Sequence, residues 1–249
     1  MTAGKKRLDD LLLARGLAAG LKEARALIVA GQVLAAEEVA DKCGRIYAAD
    51  CPLRLRARER ANYVSRGGLK LAKALSHFLI KPDGWRCLDI GASSGGFTDC
   101  LLQHGAARVY AVDVAYGQLD WKLRGDSRVV VMERVNARYL RPGDIAEEID
   151  LAVMDASFIS ATRILPALLP FFHGERRLII LIKPQFELTA AKVGAGGVVR
   201  DDEARQEAVA KVADFASGLG LTTEGVVASP ILGPKGNQEF LLYLIGPAT

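Results

Sequence analysis

The sequence predicts a doubly wound α/β sheet preceded by a small α+β module, and three observations carry that prediction. From Cys87 onward, apolar strand candidates alternate with helical stretches. Ahead of them, the first residues form two short amphipathic patterns broken by glycine. The charge is also divided: residues 1–60 hold 12 Lys/Arg and 8 Asp/Glu, whereas residues 61–249 hold 21 of each, so the whole net charge of +4 belongs to the first quarter.

In that first quarter Leu8, Leu11 and Leu12 fall at helical spacing, as do Ala24, Leu27 and Ile28, with Gly16, Gly20 and Gly31 as breaks. Two short helices followed by short strands are expected, with Arg7, Arg15, Lys22 and Arg25 on the helices. A charged stretch, "RARERANYV", leads out, and the boundary is placed near Arg60, giving domains 1–60 and 61–249. A basic accessory domain beside a neutral one suits a polyanion such as nucleic acid. A solvated surface that happens to be basic explains the charge equally well.

The strand candidates of the second domain are "RCLDIGA", "RVYAVDV", "RVVVMER", "DLAVMDAS", "RLIILIKP", "TTEGVVAS" and "QEFLLYLIG". Continuous apolar runs imply strands buried on both faces, hence a mainly parallel sheet clothed by helices. Right-handed crossovers make it doubly wound. At 249 residues and 50% hydrophobic, the chain can bury a sizeable core. Its longest purely aliphatic stretch, Leu178–Ile182, falls far short of the roughly 20 residues that span a bilayer, and "MTAGKKRLDD" lacks the apolar part of a signal peptide. A cytoplasmic protein is expected. Cys43, Cys51, Cys87 and Cys100 form no CxxC pair, and His77, His104 and His173 are scattered, so neither a metal site nor a disulfide framework is expected.

The glycine-rich turn in "LDIGASSGGFTDCLL" is the strongest single motif. A buried strand ends at Asp89, Gly91, Gly95 and Gly96 shape the turn, and a helix begins near Phe97. Glycine there lets a ligand lie against the backbone, and free amides at a helix start favour an anionic group. A GxxxxGK[ST] loop is absent and GxGxxG does not fit "GASSGG", which weakens nucleotide triphosphate and nicotinamide readings. Asp113 ends the next strand, where a carboxylate can accept hydrogen bonds from both hydroxyls of an adenosine ribose or merely cap a turn. Two acidic strand ends around a glycine loop favour S-adenosylmethionine. Asn136, after the third strand, suits either the adenine end or a turn.

Asp155 and Lys183 end the fourth and fifth strands, at the edge where ligands bind in open α/β sheets. Glu239 stands at the beginning of the last strand, "NQEFLLYLIG", and lies at the same edge if that strand is antiparallel. Lys70 stands in "SRGGLKLAKAL", at the start of a helix entering the domain. Between Glu187 and Asp202, "ELTAAKVGAGGVVRDD" reads either as a lid or as an ordinary connection.

The N-terminal stretch resembles an S4-type RNA-binding module. Together with "YVSRGGLKL", "LDIGASSGGFTD", "AVDVAYGQLDWKLR", "MDASFIS", "IKPQFE" and "GNQEFLLYL", it identifies the chain as a member of the TlyA family, whose members are named haemolysins or ribosomal RNA 2′-O-methyltransferases. The resemblance covers nearly the whole chain. It departs at Cys43, where proline is expected in the S4 turn. It implies a Rossmann-like methyltransferase sheet and a Lys–Asp–Lys–Glu tetrad shared with FtsJ-like ribose methyltransferases, here Lys70, Asp155, Lys183 and Glu239. S-adenosylmethionine contacts are implied at Asp89, Gly91, Ser93, Gly95, Gly96, Phe97, Asp113 and Asn136. The implied substrate is a cytidine ribose in ribosomal RNA of the small subunit, the large subunit or both. Lys5, Lys6, Arg7, Arg15, Lys22 and Arg25 are the candidate phosphate contacts. A neutral Lys183 amine can take the proton of a ribose 2′-hydroxyl, and its cation can instead steady the developing alkoxide; the base is the favoured role. Two rival readings are a membrane-lytic protein and a non-catalytic RNA-binding assembly factor.

Overall fold

The computed structural model describes residues 4–29, 31–55 and 63–247. Two compact units divide the chain, Met1–Ala61 and Asn62–Thr249. The expected boundary at Arg60 lies outside the described residues.

The first unit opens with strand β1 (Lys5–Arg7), which runs directly into helix α1 (Leu8–Ala14), followed by α2 (Leu21–Val29), β2 (Val33–Ala35), β3 (Glu38–Val39), β4 (Ile46–Ala48) and β5 (Leu53–Leu55). The sequence predicts both helices but puts no strand ahead of them. β1 exists by pairing antiparallel with β4, Lys5 opposite Ala48, a partner too distant in sequence for a local pattern to register. Arg7 therefore stands on a strand, not on a helix. β2 lies between β3 and β5, and Leu8, Leu12, Ala24, Ile28, Val33 and Ala35 pack together as the core. Full burial of each leucine or isoleucine is worth about 1.5–3 kcal/mol, and a core of so few side chains leaves a small unit little margin.

The second unit contains α3 (Gly67–His77), β6 (Arg86–Ile90), α4 (Gly96–Gln103), β7 (Arg108–Asp113), α5 (Trp121–Arg124), β8 (Val129–Glu133), β9 (Leu151–Met154), α6 (Leu165–Leu168), β10 (Arg176–Ile182), α7 (Pro184–Glu187), α8 (Asp202–Ser217), β11 (Thr222–Ala228) and β12 (Phe240–Gly246). Among the described residues they build a seven-stranded sheet in the order β11-β12-β10-β9-β6-β7-β8. β8, β7, β6, β9 and β10 are parallel, while β12 is antiparallel to both β10 and β11.

Successive residues of the central strands feed opposite cores. Leu88, Ile90, Val112, Ala152 and Met154 pack on one face, and Cys87, Val109, Ala111, Leu151 and Val153 on the other. Burial on both faces holds for β6, β7, β9 and β10 but not for the sheet edges. β8 is half-buried throughout and β11 is largely exposed, because each lacks a neighbour on one side. The chain leaves β6 toward β7 and β8 and then returns to β9 on the other side. That reversal opens a crevice beyond the carboxyl ends of β6 and β9.

Candidate active site

Two glycines allow the close approaches that shape this crevice. Gly91, directly after β6, has φ +82, and a Cβ there would meet the Asp155 carbonyl oxygen at 2.7 Å, so glycine is required by conformation and by space. Gly96 opens α4 against α3, and a Cβ on it would meet the Gly68 amide nitrogen at 2.8 Å. This close crossing delivers Lys70, one turn into α3, to the crevice.

There the four polar residues form a continuous chain. Lys70 Nζ donates to Glu239 Oε2 at 2.6 Å and lies 3.7 Å from Asp155 Oδ2. Asp155 Oδ1 is 2.6 Å from Lys183 Nζ, which also donates to Ser157 Oγ at 2.7 Å. Glu239 sits just before β12, fully buried, and the antiparallel course of β12 sets it at this edge, with its carboxyl against Gly233, where a Cβ would collide with it. Its second oxygen, Oε1, has no partner among the described residues. Each lysine is thus buried beside carboxylates, the condition under which a buried ammonium is tolerable.

Two cavities adjoin the chain and share Gly91, Ser93 and Asp155. One of about 340 Å³ is also lined by Ser65, Arg66, Lys70, Gly96 and Phe97. The other, about 400 Å³, is lined by Asp113, Gln118, Asn136 and Ser157 with apolar Ile90, Val112, Val135 and Ile164. Asp113 accepts from the Ser93 amide at 2.7 Å and from the Ala115 amide at 2.8 Å, which fixes its carboxylate at the wall. Asn136 accepts from the Arg138 amide at 3.1 Å, leaving its own amide hydrogens for another acceptor. An apolar slot bordered by a fixed carboxylate and an amide suits an adenosine. The residues present fit S-adenosylmethionine.

Asp89 and Gly95 line neither cavity. Asp89 is buried behind the wall, accepting from Thr98 Oγ1 at 2.6 Å, and its other oxygen lacks a partner among the described residues. Burial pushes its carboxyl up to about 7, opposed by the Thr98 hydrogen bond. The loop between Glu187 and Asp202 is stitched in place: buried Asn237 donates to the Gly197 carbonyl at 2.8 Å and accepts from the Val199 amide at 2.9 Å.

Sequence reasoning missed Ser157, Ser65, Arg66 and Phe158. Ser157 and Phe158 follow Asp155 in "DASF", but nothing local marks a serine that reaches a lysine 26 residues away. Phe158 is 90% exposed at φ +65, with its ring 5.2 Å from that of Phe186.

The six basic candidates of the first unit divide into two kinds. Arg7 forks onto Asp9 at 3.0 and 2.9 Å, Arg25 donates to the same carboxylate at 3.2 Å, and Arg15 donates to the Ala49 carbonyl at 2.6 Å. The Arg7 guanidinium, with Arg25, holds the Asp9 carboxyl down at about 2. Lys5, Lys6 and Lys22 are exposed and without a side-chain partner among the described residues.

Fold order, glycine turn and lysine–carboxylate chain define a methyltransferase, and the FtsJ-like methyltransferase family matches residues 63–245. The chain belongs to that family. It is 46% identical over 242 residues to the 16S/23S rRNA (cytidine-2'-O)-methyltransferase TlyA of Mycobacterium tuberculosis, covering 97% of this chain and 90% of that protein. It is 40% identical over 245 residues to Hemolysin A of Brachyspira hyodysenteriae, covering 96% and 99%. A solved structure of a Streptococcus thermophilus protein superposes with a TM-score of 0.77 at 41% identity, covering 98% of this chain and 90% of that one.

Proposed function

We propose that this protein methylates the 2′-oxygen of a cytidine ribose in ribosomal RNA of the small subunit, the large subunit or both, using S-adenosylmethionine. The observation that carries the reading is the unbroken chain from Glu239 through Lys70 and Asp155 to Lys183, drawn from four separate segments to one crevice. When bound, S-adenosylmethionine supplies an electrophilic methyl group on its sulfonium. Asp113 would hold the two ribose hydroxyls of the adenosine, Asn136 would meet the adenine, and Gly91, Ser93, Gly96 and Phe97 of the glycine turn would border the remainder.

A 2′-hydroxyl is a poor nucleophile until its proton leaves, and Lys183 in its amine form accepts that proton. Asp155 aims the amine. Lys70 and Glu239 fix Asp155 from behind, so the geometry is set before RNA arrives. Exposed Phe158 offers an aromatic face to a base unstacked from the RNA. In the first unit Lys5, Lys6 and Lys22 contact phosphates, and Arg7, Arg15 and Arg25 contribute their outward edges while bracing the unit. Such a protein works in the cytoplasm on RNA or on a ribosomal subunit.

The test is transfer of a labelled methyl group to naked ribosomal RNA and to separated subunits, followed by mapping of the modified nucleotide. A 2′-O-methylcytidine is expected. Binding of RNA and cofactor without transfer would favour a non-catalytic assembly factor. The name of the Brachyspira relative raises membrane lysis, but among the described residues no helix is long and apolar enough to cross a membrane. Leakage of protein-treated liposomes would support lysis.

A further inference from the structure

Ser157 is the last link of the buried chain and the one that differs in kind from the rest. Glu239 at the far end is fully buried, the members between alternate amine and carboxylate, and Ser157 alone is a neutral hydroxyl, exposed at the wall of the 400 Å³ cavity. Its Oγ lies 2.7 Å from Lys183 Nζ, whose other partner, Asp155 Oδ1, is a charged acceptor at 2.6 Å.

This matters because of what a lysine base requires. The contact with Asp155 matches the ammonium form of Lys183, whereas acceptance of a hydroxyl proton needs the amine form. Asp155 is a poor exit for the proton. It would keep it within the chain, where Lys70 also faces its carboxylate at 3.7 Å. A serine hydroxyl can accept a hydrogen bond and donate one at the same time.

We propose that Ser157 is a positioning and proton-relay residue for Lys183, an inference that rests on the methyltransferase reading above. Before transfer, one Nζ–H bond of the Lys183 ammonium breaks and a new Oγ–H bond forms on Ser157, while the proton first held by Oγ passes to solvent water at this exposed position. Lys183 is left as the amine. It then takes the proton of the ribose 2′-hydroxyl as the new carbon–oxygen bond forms, and it returns to the ammonium. The hydroxyl also gives the lysine nitrogen a second fixed partner beside Asp155, so that its position is set from two sides.

The experiment compares wild type, Ser157→Ala, Ser157→Thr and Lys183→Ala in steady-state methyl transfer to ribosomal RNA, with cofactor binding measured by calorimetry. Ser157→Ala is expected to lower kcat by at least about tenfold, with KM for RNA unchanged and only a small change in the cofactor Kd, because Ser157 lines the adenosine cavity but its hydroxyl serves Lys183. Ser157→Thr, which keeps the hydroxyl, is expected to recover most of kcat. Wild-type kcat in Ser157→Ala alongside an inactive Lys183→Ala would overturn the relay and leave the methyltransferase reading standing. A loss in Ser157→Ala confined to KM or cofactor Kd would overturn it too, as would a threonine variant no better than alanine. Absence of transfer by the wild type would remove the underlying reading and the relay with it.

Discussion

The two units use the same chemistry, a buried carboxylate beside basic side chains, to different ends. In the first, Asp9 is fully buried while its partners Arg7 and Arg25 remain 49% and 56% exposed. In the second, Glu239 is fully buried and Asp155 19% exposed, and the lysines paired with them are buried as well, at 9% for Lys70 and 7% for Lys183. Exposed guanidinium groups keep their hydration and act as a brace around α1 and α2. Buried amines give up that hydration, and the fold tolerates them only because each is held by a carboxylate. Burial of the cation separates a structural ion cluster from a candidate reaction site.

Breaking the buried cluster should cost the most. Glu239→Ala leaves Lys70 with the longer Asp155 contact as its remaining partner, and a loss of about 3–5 kcal/mol in unfolding free energy is expected by denaturant titration of the whole chain. Asp9→Asn keeps the shape but weakens the three guanidinium hydrogen bonds from Arg7 and Arg25, so a smaller loss of about 1–3 kcal/mol is expected in the unfolding of the first unit. A result in which Asp9 costs more than Glu239 would erase the distinction drawn between the clusters.

The brace also predicts a pH dependence. The Asp9 carboxyl is lowered from its ordinary 3.8 to about 2, so its contribution is fully present above pH 3.8 and is lost as pH falls through about 2. Acid unfolding of the first unit, followed by circular dichroism, should lose this component over that window in the wild type and lack it in Asp9→Asn.

The smallest effect concerns the free lysines. Replacing Lys5, Lys6 and Lys22 by alanine should reduce the salt dependence of RNA binding by roughly 0.7–0.9 in log–log slope for each phosphate no longer neutralised, with little change in stability. Arg25→Ala should do more to the stability of the first unit than to the slope. Equal slopes for wild type and the lysine variant would move the RNA surface elsewhere.

How far these roles were legible in the sequence follows from their range. Asp155 and Lys183 could be read because buried aliphatic runs end at them, and Asp113 because it closes a strand after a glycine turn. The Lys70–Glu239 bond joins residues 169 apart, and only the family resemblance put them in one tetrad. Strand β1 escaped because its partner is remote. Arg7, Arg15 and Arg25 looked like Lys5 and Lys6 because a basic side chain reads the same in sequence whether it meets solvent or a buried carboxylate. Ser157 escaped because serine is unremarkable in a loop until its neighbour across the crevice is known.

The most direct test of the central claim is a paired measurement on Lys183→Ala: methyl transfer to ribosomal RNA and affinity for S-adenosylmethionine. Turnover should fall by about 10²–10⁴-fold or more while cofactor affinity stays near that of the wild type. Retained turnover would contradict a reacting role for Lys183.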